Sequence, residues 1–194
     1  MNKLRLVVEK YDLIFETRGG VFSAREVDPG TKLLAETLPS IGKTLKSKSI
    51  LDLGCGYGVL GVVAAKLNPE AKVIMSDDSL RATKMAQRSV ELNLVKNADV
   101  VLSDGFSNLE GKFDLILSNL PLGYGNELVE ELIADAAKHL NKDGGFWVVT
   151  QNRFKELMKG WFEKYLGGFG IAARGREHFV GKVARRYNIE YGTS

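Results

Sequence analysis

The chain of 194 residues contains one cysteine and two histidines, and these scarcities exclude several kinds of site. A lone Cys55 excludes a disulfide or a cysteine-based zinc site within the chain, and it favours a cytoplasmic setting. His139 and His178 alone do not make a metal cluster, so we expect no metal. No apolar run reaches the roughly 18 residues that a membrane helix needs, so we expect no membrane partner.

A strong excess of one charge is also absent, since 27 Lys and Arg stand against 24 Asp and Glu. The distribution is nevertheless uneven, because residues 151–194 hold nine basic and four acidic side chains. This basic part predicts a polyanionic partner, although a solvated charged face explains it equally well. The side chains that we expect to hold phosphates are Arg174, Arg176, Lys182, Arg185 and Arg186.

Apolar patterning predicts an α/β domain in which strands and helices alternate from Ser49 onward. Before that point we expect short strands broken at Gly19-Gly20, then a helix that opens near Pro29 or Gly30 and closes before Pro39. The later strands are predicted at residues 49–54, 71–77, 98–104, 113–119 and 146–151, with a closing strand pair after residue 170. Such alternation predicts a parallel sheet with helices on both faces, which binds ligands at the carboxyl ends of its strands.

The first strand end worth inspecting is the stretch LDLGCGYGVLG at residues 51–61. Its glycines, Gly54, Gly56 and Gly58, permit a tight turn and a close approach of a ligand to the backbone, with Cys55 and Tyr57 between them. The helix that follows offers free N–H groups at its amino terminus. We therefore predict a ligand-binding loop here.

Asp52 indicates which ligand suits this loop. Residues 56–61 also fit the dinucleotide fingerprint G-x-G-x-x-G, but a carboxylate two residues before Gly54 would repel a pyrophosphate. The same carboxylate suits a ligand with an ammonium group, and S-adenosylmethionine (SAM) is the best match. A plain tight turn and a nicotinamide-dinucleotide site stay open as alternatives.

Two further strand ends carry acceptors for a nucleoside. Asp77 can accept both hydrogen bonds of a ribose diol, and the adjacent Asp78 could reach the adenine edge instead. Asp104 precedes Gly105 and could accept a hydrogen bond from the adenine amine. Taken alone, Asp78 could simply cap a helix and Asp104 could simply belong to an Asp-Gly turn. The prediction of a cofactor site therefore depends on three successive strands that each end in an acid or a glycine loop.

A fourth strand end reads SNLPLGYGN at residues 118–126. Leu120 precedes a proline and is therefore pushed toward an extended backbone, which fixes the direction of its carbonyl group. The side-chain oxygen of Asn119 and this carbonyl would form a clamp with two acceptors. Such a clamp fits a planar amine with two N–H donors, either the exocyclic amine of a base or a carboxamide.

These stretches together resemble the "methyltransferase small" family of class I SAM-dependent methyltransferases, which includes ribosomal RNA guanine-N(2) methyltransferases and short archaeal homologues. The resemblance is carried by GVFSAREVDPGTKLL, ILDLGCGYGVLG, SDDS, FDLILSNLPL and HLNKDGGFWVVTQN. It implies one Rossmann-like domain with a seven-stranded, mostly parallel sheet whose last strand is antiparallel, and a small amino-terminal β extension. Residues 1–47 would cap the cofactor site, and residues 48–194 would form the core.

The resemblance also implies roles for the strand-end residues. Asp52 and the glycine loop would face the methionine end of SAM, Asp77 the ribose, Asp104 the adenine, and Asn119 the target amine. Residues 21–31 would pack over the entrance to the cofactor and substrate.

The sequence departs from the family at its catalytic motif, which is usually Asn-Pro-Pro followed by an aromatic residue. Here the motif is Asn119-Leu120-Pro121-Leu122, so one proline and the stacking aromatic are replaced. Leu122 can still cover a base by apolar contact, and Tyr124 could supply a ring. We expect Asn119, Pro121 and Leu122 to form an altered but working motif. The loss of stacking, worth roughly 1–3 kcal/mol per base, should weaken target binding more than chemistry.

The hypothesis from sequence is methyl transfer from SAM to the exocyclic amine of guanine in RNA, probed most directly by Asn119→Ala. The clamp would hold the amine along the axis of transfer and stabilise charge as it builds on nitrogen. Three rivals remain: a SAM-dependent enzyme acting on protein glutamine, adenine or a small molecule; a SAM-binding RNA module without turnover; and a nicotinamide oxidoreductase.

Overall fold

A computed structural model describes residues 2–17, 19–20, 23, 25–42, 47–120 and 125–184. Its strands are β1 (Asn2–Val8), β2 (Tyr11–Thr17), β3 (Ser49–Leu53), β4 (Lys72–Asp77), β5 (Ala98–Leu102), β6 (Phe113–Asn119), β7 (Leu140–Gln151), β8 (Gly170–Arg174) and β9 (His178–Ala184). Its helices are α1 (Pro29–Gly42), α2 (Val59–Leu67), α3 (Leu80–Leu92), α4 (Asn126–His139) and α5 (Lys155–Leu166), with a short 3-10 helix at Asn152–Phe154.

Seven strands form one sheet in the order β5-β4-β3-β6-β7-β9-β8. The pairs from β5 to β7 are parallel, and β9 is antiparallel to both β7 and β8. The carboxyl ends of β3 to β7 therefore share one edge of the sheet, which we call the rim. Since β9 runs the other way, its first residue, His178, also lies at the rim, where it pairs with Gln151.

The sheet is buried on both faces, as expected for strands joined by crossover helices. One core contains Val62, Val73 and Met75 together with apolar residues of α1, α2 and the β1–β2 hairpin. The other contains Ile116 and Phe162 together with apolar residues of α4 and α5. The predicted fold, a mostly parallel seven-stranded sheet between helices, is confirmed.

Three local predictions were wrong. The helix predicted to close before Pro39 continues to Gly42, because the buried residues Leu38 and Ile41 outweigh the hydrogen bond that a proline nitrogen cannot donate. The two amino-terminal strands are separated by a turn at residues 9 and 10 rather than at Gly19-Gly20, and Glu9 has a φ of 51° there. The strand predicted at residues 146–151 begins earlier, at Leu140, directly after α4.

The hairpin formed by β1 and β2 is a separate two-stranded sheet that packs on α3. Asn93 joins the two, because its side chain accepts a hydrogen bond from the N–H of Ile14 (2.9 Å) and donates one to the carbonyl of Ile14 (2.7 Å). Glu16, which is nearly buried, pairs with Arg88 of α3 at 3.2 Å. Polar contacts to α3 thus hold the outer edge of β2.

Within the ranges described above, no helix has both the length and the apolar character needed to cross a membrane.

Candidate functional site

A cavity of about 1170 Å³ lies along the rim and brings together most of the predicted site. The predicted residues that line it are Asp52, Gly54, Cys55, Gly56, Tyr57, Asp77, Asp78, Asp104, Gly105 and Asn119. Gly58 does not line it; this residue has a φ of 92° and precedes the first turn of α2. Pro121, Leu122 and Tyr124 lie outside the described residues, as do Val21 and Phe22 of the predicted entrance.

Asp77 holds the glycine loop in shape. One oxygen of its carboxylate accepts a hydrogen bond from the N–H of Gly56 at 2.8 Å, and the other accepts from the N–H of Ser79 at 3.0 Å. Burial raises the pKa of Asp77, and these two N–H groups oppose that effect. Each oxygen keeps a further lone pair, so the carboxylate can bind the loop and still accept hydrogen bonds from a ligand in the cavity.

Asp52 is a buried carboxylate beside the loop, with 1% of its surface exposed. Its one hydrogen bond among the described residues comes from the N–H of Gly61, at 2.7 Å. Burial raises the pKa of Asp52 to about 7, the Gly61 contact opposes the rise, and the charge of Asp77 adds to it. A cationic group placed in the cavity would favour the ionised form of this acid.

Cys55 and Tyr57 lie in the loop with buried side chains. Burial raises the pKa of the Cys55 thiol, and the charges of Asp52 and Asp77 add to that effect, so the thiol is neutral and unreactive. Burial also raises the pKa of Tyr57 to about 12, assisted by the charge of Asp28. Both residues therefore present neutral side chains to the cavity.

The ends of β4 and β5 form a more open part of the cavity wall. Asp78 and Asp104 are exposed there. Phe106, which follows Gly105, is buried and stacks on the ring of His139, with 4.3 Å between ring centroids. One face of the Phe106 ring is thus already covered by the protein.

Asn119 ends β6 with its side chain tied to the first turn of α1. Its amide nitrogen donates one hydrogen bond to a carboxylate oxygen of Asp28 and one to the hydroxyl oxygen of Thr31, both at 2.8 Å. Asp28, Thr31 and Asn119 all line the cavity. The following residue, Leu120, is buried, and its N–H donates to the carbonyl of Val149 at 3.1 Å.

Several residues that line the cavity near Asn119 were not predicted from the sequence. Gln151 ends β7, and His178 begins β9 opposite it; both line the cavity. The signal for Gln151 in the sequence is its place at the carboxyl end of the strand predicted at residues 146–151. Asp28 and Thr31 belong to the stretch GVFSAREVDPGTKLL that carried the resemblance, but sequence alone assigned neither of them a contact with Asn119.

The cavity wall is strongly acidic. Its described residues include seven carboxylates, from Asp28, Asp52, Asp77, Asp78, Asp104, Glu131 and Asp135, and one lysine, Lys138. Such a wall opposes a pyrophosphate and favours a cationic ligand. The buried hydroxyl of Ser76, which has no hydrogen-bond partner within the described part of the chain, also lines the cavity. These features fit a sulfonium nucleoside with an ammonium group better than they fit a dinucleotide.

Among the residues that the structure describes, no group of three or more His, Cys, Asp or Glu side chains is arranged to hold a metal ion.

Comparison with known proteins assigns the chain to a family. The family model "Methyltransferase small domain" matches residues 12–180. The ribosomal RNA small subunit methyltransferase C of Haemophilus influenzae (strain PittGG) is 41% identical over 152 residues, which are 75% of this chain and 44% of that protein. The protein of the same name from Mannheimia succiniciproducens is 40% identical over 169 residues, which are 84% of this chain and 48% of that protein. The chain thus spans about half the length of these curated relatives.

Solved structures agree with this assignment. The T. thermophilus 16S rRNA N2 G1207 methyltransferase, solved in complex with AdoMet and guanosine, superposes with a TM-score of 0.83 at 27% identity, over 95% of this chain and 50% of that one. The ribosomal protein L11 methylase of Lactobacillus delbrueckii subsp. bulgaricus shares the fold, with a TM-score of 0.67 at 24% identity over 88% of this chain and 91% of that one. By sequence and by fold, the chain belongs to the methyltransferase small domain family.

Proposed function

We propose that this protein transfers a methyl group from SAM to the exocyclic amine of guanine in RNA. The observation that carries the proposal is the position of Asn119, whose side chain lies in the same cavity as the glycine loop and its carboxylates. Relatives named as ribosomal RNA methyltransferases, and a similar structure that holds AdoMet and guanosine, support this choice of cofactor and acceptor.

The glycine-loop half of the cavity would hold the cofactor. When bound, SAM supplies an electrophilic methyl group on a positively charged sulfur. Asp52 would face the ammonium group, Asp77 the ribose diol, and Asp78 or Asp104 the adenine edge. Gly54 helps to keep this half open, because a Cβ atom built on it would meet nothing within 4 Å.

The other half of the cavity would hold the acceptor base. The amide oxygen of Asn119 would accept a hydrogen bond from the target amine and would stabilise the positive charge that builds on its nitrogen during transfer. The carbonyl of Leu120 would be the second acceptor of this clamp. Pro121 would hold Leu120 in an extended conformation, and Leu122 would cover the base by apolar contact, as the sequence predicts.

The acidic cavity repels phosphates, so the RNA backbone would lie outside it, on the basic residues at the β8–β9 turn and after β7. Arg174 and Arg176 flank the turn from β8 to β9, and Arg153 lies in the 3-10 helix that follows β7; all three side chains are exposed. Asn152 fixes this turn, because its N–H donates to the carbonyl of Glu177 at 2.8 Å and its side chain donates to the carbonyl of Arg176 at 3.0 Å. The turn therefore presents its arginines beside the mouth of the cavity.

The basic residues predicted from sequence separate into two groups. Lys182 pairs with Trp147, four positions from the rim on β9, or roughly 13 Å along the strand. Its ammonium group lies 5.0 Å from the centre of the Trp147 ring, and this lysine does not line the cavity. Arg185 and Arg186 lie outside the described residues. Arg153, which the sequence argument did not include, joins Arg174 and Arg176 in this proposal.

The test is to incubate the protein and its Asn119→Ala variant with labelled SAM and RNA from a strain that lacks the gene, and to analyse the nucleosides. We expect N2-methylguanine from the wild type and at least a hundredfold slower transfer by the variant, with SAM affinity preserved. Label in protein or in small molecules would show a different acceptor. An equal rate for the variant would refute the clamp, and a complete lack of transfer would indicate a binding module.

Two predictions from the sequence remain part of this proposal. The first is a cytoplasmic location, supported by the lone cysteine and by the ribosomal RNA named for the relatives. The second is the division of one methyltransferase domain into a cap, residues 1–47, and a core, residues 48–194.

A further inference from the structure

One carboxylate oxygen of Asp28, Oδ2, both caps helix α1 and binds the side chain of Asn119. Asp28 stands directly before α1 and caps that helix, because its Oδ2 accepts a hydrogen bond from the N–H of Thr31 at 2.8 Å. The same oxygen accepts from the amide nitrogen of Asn119, a residue 91 positions later in the chain. Capping alone does not require the second contact, so the pairing with Asn119 calls for its own explanation.

These contacts determine which way the Asn119 amide faces. An ionised carboxylate carries no hydrogen to donate, so the NH2 group of the amide must point toward Asp28. The hydroxyl of Thr31 donates to the same Asp28 oxygen at 3.2 Å, which leaves a lone pair to accept the second N–H of Asn119. Both N–H bonds of the amide are therefore used inside the protein, and the Oδ1 atom is left for the cavity.

We propose that Asp28 and Thr31 are positioning residues that make Asn119 an acceptor only. Asn119 can then bind a substrate group that donates a hydrogen bond, such as an amine, and cannot bind a carbonyl such as the O6 atom of guanine. The negative charge of Asp28 also polarises the amide and strengthens Oδ1 as an acceptor. The inference rests on the proposed function, since it concerns the amine acceptor of that reaction.

Two pairs of substitutions separate this role from helix capping. Asp28→Ser keeps a good capping residue but removes the carboxylate that reaches Asn119, and Asp28→Asn keeps the cap and one acceptor oxygen. Thr31→Val removes the hydroxyl at nearly constant shape, whereas Thr31→Ser keeps it. The measurements are kcat and KM for RNA, the Kd for SAM and the melting temperature.

We expect Asp28→Ser to lower kcat about thirtyfold, with the Kd for SAM changed less than about twofold. Asp28→Asn should fall between this variant and the wild type, because an asparagine can present either its oxygen or its nitrogen to Asn119. Thr31→Val should lower kcat about tenfold, and Thr31→Ser should recover most of that loss. Wild-type kcat in Asp28→Ser, or a loss of kcat that follows the melting temperature alone, would overturn the proposal.

A measurement without RNA keeps this inference distinct from the proposed function. The side-chain amide of Asn119 gives an NMR signal that can be assigned by its loss in Asn119→Asp. Both amide protons should be shifted by their hydrogen bonds in the wild type and should move toward free-amide values in Asp28→Ser. An unchanged signal would refute the positioning role. A changed signal with no methylation of any RNA would refute the proposed function and leave the positioning role intact.

Discussion

The two halves of the cavity are built in different ways. In the glycine-loop half, carboxylates bind nearby backbone N–H groups: Asp77 binds Gly56 in the loop, and Asp52 binds Gly61 in the first turn of α2. In the acceptor half, one side chain, Asn119, is held by two others from the distant first turn of α1. The first half thus depends on contacts between side chains and the backbone of the glycine loop and of the helix that follows it, and the second depends on how α1 packs against the end of β6.

The largest expected effect is on stability, and it distinguishes a glycine of the loop that is packed against the core from one that borders the space for a ligand. Gly58→Ala combines a φ of 92° with a Cβ that would contact Met75 and lie 3.3 Å from Cα of Ala86, so it should lower the free energy of unfolding by about 3 kcal/mol. Gly54→Ala, with a φ of 71° and open space around its Cβ, should lower it by about 1 kcal/mol. Urea unfolding measures both. Equal losses would show that Gly54 also serves packing.

The next prediction tests whether the two halves are independent. Asp77→Ala removes the acceptor for two backbone N–H groups and for the ribose diol, so the Kd for SAM should rise about a hundredfold. Asn119→Ala should change that Kd less than about twofold. Calorimetric titration with SAM measures both variants. A large loss of SAM affinity in Asn119→Ala would mean that the halves form one site.

The third prediction is a pH dependence that belongs to the glycine-loop half. The folded pKa of Asp52, about 7, lies above its ordinary value of 3.8, so the folded protein holds a proton there that the unfolded chain releases. The contribution of Asp52 to stability is therefore complete below pH 3.8 and is lost progressively as the pH rises from 3.8 to about 7. A cationic ligand such as SAM favours the ionised form of Asp52 instead of the protonated form. SAM affinity should therefore rise up to tenfold per pH unit as the pH approaches about 7 from below.

The substitution Asp52→Asn tests the direction of this pH dependence. Without SAM the variant should be more stable than the wild type, by a clearly larger margin at pH 8 than at pH 5, as measured by thermal unfolding at both pH values. Its SAM affinity should be weaker and independent of pH. A variant less stable than the wild type at pH 8 would show that the ionised carboxylate is stabilised by contacts other than the one with Gly61.

The smallest expected effect concerns RNA beside the acceptor half. Arg176→Ala should raise KM for RNA about threefold to tenfold and reduce the salt dependence of binding by about one phosphate contact, with the Kd for SAM unchanged. Lys182→Ala is the matched control, because that lysine packs on Trp147 away from the rim and should leave KM for RNA almost unchanged. Equal effects of the two substitutions would favour binding spread over the whole basic part.

The same comparison explains which features the sequence could predict. The sequence could predict that Gly54, Asp77 and Asp104 line one cavity, because each lies at or just after the end of an apolar strand, and parallel strands bring their carboxyl ends to one edge. The contact between Asp28 and Asn119 was missed because the two residues are 91 positions apart, and no local pattern reports such a distance. The helix that continues through Pro39 was missed for a related reason, since burial of Leu38 and Ile41 is a tertiary effect.

The contact between Asn93 and the hairpin has a consequence for solubility. The outer edge of a two-stranded sheet exposes amide and carbonyl groups that can pair with a strand of another molecule. The Asn93 amide occupies the N–H and the C=O of Ile14, much as a neighbouring strand would. A single side chain thus prevents a strand of another molecule from pairing with the middle of this edge, without any additional strand.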